Sequence, residues 1–202
     1  LEFNETNCIA PTKLGVQVYD NYSLEELVPY IDWTPFFQTW ELHGKYPNIL
    51  TDEVVGEEAT SLFADAQELL KRIVSEKWLT ARAVTGIFPA NAVGDDIEIY
   101  AELGDQAPLY IQRSLRQQTK KAMGQPNIAL SDYIAPKNSG VNDYIGAFVV
   151  TTGIGLDEHV ARFEADYDDY NSILIKALAD RLAEAFAERM HEVVRKDQWG
   201  YG

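Results

Sequence analysis

The chain has 202 residues, 46% of them apolar and 11% aromatic, and its 17 Lys and Arg against 32 Asp and Glu give a formal charge of −15. A chain this acidic lacks the positive face that displaces counterions from phosphates, which argues against nucleic acid and an anionic membrane surface as partners. Its apolar fraction is that of a folded globular protein, and Cys8 is a lone thiol that can form no intrachain disulfide, which fits a reducing, cytoplasmic setting. No apolar run approaches the roughly 20 residues of a spanning helix, and the N-terminus lacks a basic segment followed by an apolar one, so a soluble, untargeted protein is expected. The opening at Leu1 points to a segment of a longer polypeptide.

Residues 1–22 carry Pro11 and Gly15 and little periodicity, which predicts an irregular arm with a short strand at Gly15–Tyr19. Ser23-Leu24-Glu25-Glu26 has the capping-box form of a helix start, and Pro29 limits that helix to about a turn. A second start lies at Thr34-Pro35, with Phe36, Phe37 and Trp40 as its apolar face. Glu57–Trp78 is the clearest mid-chain helix, because Leu62, Phe63, Ala66, Leu69, Leu70, Ile73 and Val74 recur at steps of three and four. Ala83–Ala90 and the alternating Asp96–Tyr100 read as strands, 109–123 as a helix, and Tyr144–Thr152 as a strand closed by Gly153. A single long helix is predicted from Asp157 to Arg195, with Leu174, Leu178, Leu182, Ala185, Phe186, Met190 and Val193 as its stripe. Helices and strands interleave without a βαβ rhythm, so the expected class is α+β in one domain.

Carboxylates dominate the candidate chemistry. Asp180, Glu184 and Glu188 are spaced by four and His191 follows on nearly the same line, a pattern that by default is a solvated helix face. His191-Glu192 fails as a zinc-protease start because Arg195 stands where the second imidazole belongs, and His43 and His159 lack ligand partners at recognisable spacing. Asp95-Asp96 and Asp168-Asp169 are adjacent pairs of the kind that more often close turns or cap helices than hold metal. Asp32 sits between Ile31 and Trp33 in a segment crowded with aromatics, where a partly desolvated carboxylate would want a cation or a proton; a helix-cap aspartate beside the core is the other possibility. Gly153 and Gly155 lack the third glycine of a dinucleotide fingerprint, and no nucleophile elbow, Walker loop or Cys/His couple appears.

Longer strings carry more. Tyr30-Ile31-Asp32-Trp33-Thr34-Pro35-Phe36-Phe37, Gly44-Lys45-Tyr46-Pro47, Phe88-Pro89-Ala90-Asn91, Gly94–Tyr100, Leu115-Arg116-Gln117-Gln118-Thr119, Asp143–Phe148 and Asp168-Asp169-Tyr170-Asn171 running into Lys176–Glu188 resemble the activation domain of cobalamin-dependent methionine synthase. The resemblance implies a single curved α+β domain over 23–202, with a twisted antiparallel sheet, packed helices and a long C-terminal helix. It implies S-adenosylmethionine as the bound cofactor and a cobalamin-binding domain or subunit as partner. Flavodoxin or a flavoprotein reductase would supply the electron that, with the ligand's methyl group, rescues oxidised cobalamin. Asp32 and Glu184 match the family's ligand-binding acids, while Asp180 and His191 could face the cobalamin domain. No catalytic residue and no metal site is implied, and the isolated chain is not expected to run the overall methyl transfer.

Family members continue past the equivalent of Trp199-Gly200-Tyr201 into Arg-x-x-x-Gly-Tyr-Pro-x-Cys-Pro, whose arginine holds the ligand's carboxylate, and the 202 residues contain no such segment. Two expectations therefore stand side by side: a truncated methyl-donor module, or a shortened docking domain that caps the cobalamin domain without binding the cofactor.

Overall fold

The computed structural model describes residues 2–201, which divide into two compact units. One consists of residues 2–17, 85–148 and 192–201; the other of Val18–Val84 and Val149–His191. The class is α+β, with an antiparallel sheet of strands β1 (Gly15–Tyr22), β2 (Thr80–Val93), β3 (Asp96–Ile99), β4 (Tyr110–Gln112) and β5 (Asp143–Ile154) in the order β1-β2-β3-β4, β5 also pairing with β2. The helices are α1 (Thr34–Thr39), α2 (Gly56–Ser75), α3 (Leu156–Ala165) and α4 (Asp169–Val193). Among the described residues no helix is long and apolar enough to cross a membrane.

In the first unit, β2 and β3 form a hairpin whose last pair, Val93 with Asp96, leaves Gly94-Asp95 as a two-residue turn with Gly94 at φ 63°. The helix expected over 109–123 does not form. Tyr110–Gln112 instead pairs with β3, Ile99 facing Tyr110 and Ile97 facing Gln112, and the chain then runs on without regular structure. An available strand edge outweighs weak helical periodicity here, since the segment buries no apolar stripe and Leu115 is 83% exposed. Ile87, Tyr144 and Val194 form a buried cluster against which Phe148 and Trp199 pack. The N-terminal arm is tied to the same place: Trp199 Nε1 donates to the Ile9 carbonyl at 2.7 Å, and the Thr12 hydroxyl donates to the Gln198 carbonyl at 2.7 Å. The strand expected at Gly15–Tyr19 extends to Tyr22.

In the second unit the predicted stripe of α2 is its inner face, with Leu62, Ala66, Leu69, Leu70 and Ile73 buried. The predicted long helix is two helices, broken at Asp166-Tyr167-Asp168. Tyr167 takes φ 56°, a left-handed turn that ends α3, and the Asp168 carboxylate accepts the Asn171 N–H at 3.0 Å and so starts α4 anew. Glycine matters at one further turn. Gly155, at φ 98°, opens α3 with its backbone so close to Trp78 that a Cβ there would lie 2.7 Å from the Trp78 carbonyl oxygen.

The first turn of α4 is seated on α2 by Tyr170, whose hydroxyl donates to Asp65 Oδ2 at 2.7 Å and whose ring lies 5.2 Å from that of Trp40. Burial, and next the Asp65 carboxylate, push the Tyr170 phenol from 10.0 up to about 12. The folded state therefore holds this proton more tightly than the unfolded chain. The stabilisation it brings is complete below pH 10.0 and is lost as pH rises through about 12. Ultraviolet titration of phenolate absorbance should lose a late-ionising component in Tyr170→Phe; an unchanged titration would contradict the assignment.

Candidate functional site

Asp32 lies in the short link before α1. Its neighbours Ile31 and Trp33 are buried, and the Trp33 ring meets Phe36 and Phe63 edge-on at 5.3 and 5.0 Å. Two anchors on either side turn the middle side chain outward, and Asp32 is exposed. The partly desolvated carboxylate expected from the aromatic company is thus not found, because the aromatics pack on one another rather than over the acid. Oδ1 accepts the Thr34 N–H at 2.9 Å, satisfying the first amide of α1. Oδ2 carries no hydrogen bond among the described residues.

A polar seam joins this link to α4. Arg189 Nε donates to the Tyr22 hydroxyl at 3.1 Å, that hydroxyl donates to Glu26 Oε2 at 2.9 Å, and the Arg189 guanidinium lies 5.9 Å from the centre of the Tyr30 ring, two residues before Asp32. The Tyr22 ring packs on Phe186 at 4.8 Å. Burial raises the Tyr22 phenol despite the opposing Arg189 hydrogen bond, so the hydroxyl stays a neutral relay between the two charged groups.

Asp180, Glu184, Glu188 and His191 are all exposed on α4, while the predicted stripe Leu174, Leu178, Leu182, Ala185, Phe186, Met190 and Val193 is buried. The line of acids is a solvated face, as its spacing alone implied. One neighbour was not anticipated. The Arg181 side chain is only 12% exposed, and its guanidinium reaches both acids, Nη2 to Asp180 Oδ2 at 2.6 Å and Nη1 to Glu184 Oε2 at 2.5 Å. The sequence did hold a signal for this, since arginine three residues before glutamate is a helix ion-pair spacing.

The other paired acids close turns and meet cations. Asp96 pairs with Arg113, and Asp95, in the β2–β3 turn, pairs with Arg116 at 2.7 Å. Arg116 spends all five of its N–H groups on Asp95, Asp132 and the Asn127 carbonyl. That grip holds the Asp132 carboxyl down to about 2. A cavity of about 600 Å³ lies beside this clasp, lined by Phe3, Ile128, Tyr133 and Ile134 among others. Arg116 has no donor left to offer a ligand there, so the clasp is structural. The chemistry open to the second unit is different: exposed carboxylates on α4 and before α1 can attract and orient a cation.

Residues 23–202 match the family described as vitamin B12 dependent methionine synthase, activation domain. Among solved structures the chain is similar to a crystal structure of the MetH reactivation domain bound to AdoHcy, at 54% identity and a TM-score of 0.92, over 99% of this chain and 62% of that one. The chain thus spans under two thirds of the length of that structure.

Proposed function

The chain belongs to the activation-domain family of vitamin B12-dependent methionine synthase, and from that premise we propose that it binds S-adenosylmethionine and presents its methyl group for the reductive methylation of cob(II)alamin held by a neighbouring domain. The observation that carries this is the match, along 99% of the chain, to a reactivation domain solved with AdoHcy, which is what S-adenosylmethionine becomes when its methyl group leaves. The residues present suit such a ligand. S-adenosylmethionine supplies an electrophilic methyl on a sulfonium and also carries an ammonium, and both cations are complemented by exposed carboxylates.

In this proposal Asp32 and Glu184 are the acids that bind and orient the ligand, with Asp32 Oδ2 and the carboxylate of Glu184 as acceptors. The link that carries Asp32 is rigid, because Ile31 and Trp33 anchor it and Thr34 fixes one carboxylate oxygen. Asp180 and His191, exposed on the same helix, are the residues offered to the cobalamin domain. A flavodoxin or flavoprotein reductase supplies the electron. The chain by itself transfers no methyl group to homocysteine.

Calorimetric titration with S-adenosylmethionine should release or absorb heat with a stoichiometry near one. No binding at millimolar ligand would leave the docking role as the better description of this chain.

A further inference from the structure

The Asp180, Arg181 and Glu184 side chains form a triad of net charge −1 within one turn of α4. Its two ion pairs are unequal. Arg181 Nη2 donates an aligned hydrogen bond to Asp180, whereas Nη1 lies close to Glu184 but off the hydrogen-bonding axis, so that buried nitrogen has no hydrogen bond. Asp180 and Glu184 are 72% and 57% exposed, while the arginine stem is nearly covered and cannot follow either acid far. Glu184 is therefore the acid more readily released.

We propose that Arg181 is a positioning residue for the methyl-donor site, shared between the two acids so that the hold of one on the guanidinium sets the freedom of the other to take an outside cation. The proposal rests on the reading that Glu184 binds S-adenosylmethionine. When Glu184 turns to the ligand's ammonium or sulfonium, Arg181 keeps Asp180 as its counter-ion and no charge is stranded. When Asp180 is neutralised or engaged by a cation of a docked partner, Arg181 has only Glu184 left and competes with the ligand for it. Occupancy of Asp180 and occupancy of the donor site then oppose each other, and by linkage the opposition is mutual.

The test is a double-mutant cycle read as S-adenosylmethionine affinity by calorimetry. Asp180→Asn should weaken binding about 3- to 10-fold in the wild-type background and less than about 2-fold in the Arg181→Gln background. Arg181→Lys, which keeps the charge on a flexible stem, should restore part of the dependence on Asp180, and Arg181→Met, which likewise removes the charge, serves in place of Arg181→Gln with the same expectation if the latter does not fold. Equal weakening by Asp180→Asn in both backgrounds would mean that Asp180 acts only through space, and would overturn the sharing of Arg181 while leaving the binding function intact. Absence of wild-type binding would overturn both.

Discussion

Phe186→Ala lowers the unfolding free energy by about 3–5 kcal/mol, measured by chemical denaturation. The side chain is fully buried at the centre of the apolar stripe of α4, and its ring packs on Tyr22 at 4.8 Å. Truncation removes the transfer energy of the ring and leaves a cavity that the packed helix cannot fill. It also removes the wall that places the Tyr22 hydroxyl between Arg189 and Glu26. Against a total stability of about 5–15 kcal/mol for a typical domain, that is a large share. Phe186→Leu keeps most of the volume and should cost clearly less; equal losses for the two variants, or a loss below about 1 kcal/mol for alanine, would contradict this packing.

Asp32→Ala is expected to weaken S-adenosylmethionine binding about 10- to 100-fold, the range set by one hydrogen bond to a charged group. Its cost to the fold is about 1 kcal/mol, because the side chain is exposed and accepts a single turn hydrogen bond from the Thr34 N–H. Asp32→Asn separates the two roles. The amide oxygen can still accept the Thr34 N–H, but the charge is gone, so calorimetry should show most of the affinity lost while thermal unfolding stays near wild type. Retained affinity in Asp32→Asn would show that the turn, and not the charge, is what the site needs.

The architecture was largely legible in the residues. Steps of three and four predicted the buried faces of α2 and α4, proline after threonine marked the start of α1, and alternation marked β3. Three elements were misread, the helix start expected at Ser23 being a turn that leads into a 3-10 helix at Val28–Tyr30 with Pro29 inside it. Residues 109–123 have enough scattered helical spacing to suggest a helix, but the open edge of β3 offers backbone partners that local propensity cannot reveal. The run from Asp157 to Arg195 reads as continuous because acids tolerate a helix N-terminus, whereas Asp168 uses its carboxylate to cap a fresh helix at Asn171.

Among the site residues, the long strings around Asp32 and Glu184 pointed to those two acids, but composition misjudged their surroundings. The aromatics near Asp32 pack among themselves and leave it in water, and Glu184 already faces an internal cation.

The sequence by itself determined the α+β class, the apolar faces and the family, because hydrophobic period and motif strings are properties of neighbouring residues along the chain. The tertiary structure alone decided which carboxylates are open and which are engaged. An ion pair depends on distance, alignment and burial in space, and the sharing of Arg181 between Asp180 and Glu184 turns on a nearly covered arginine stem and one misaligned contact.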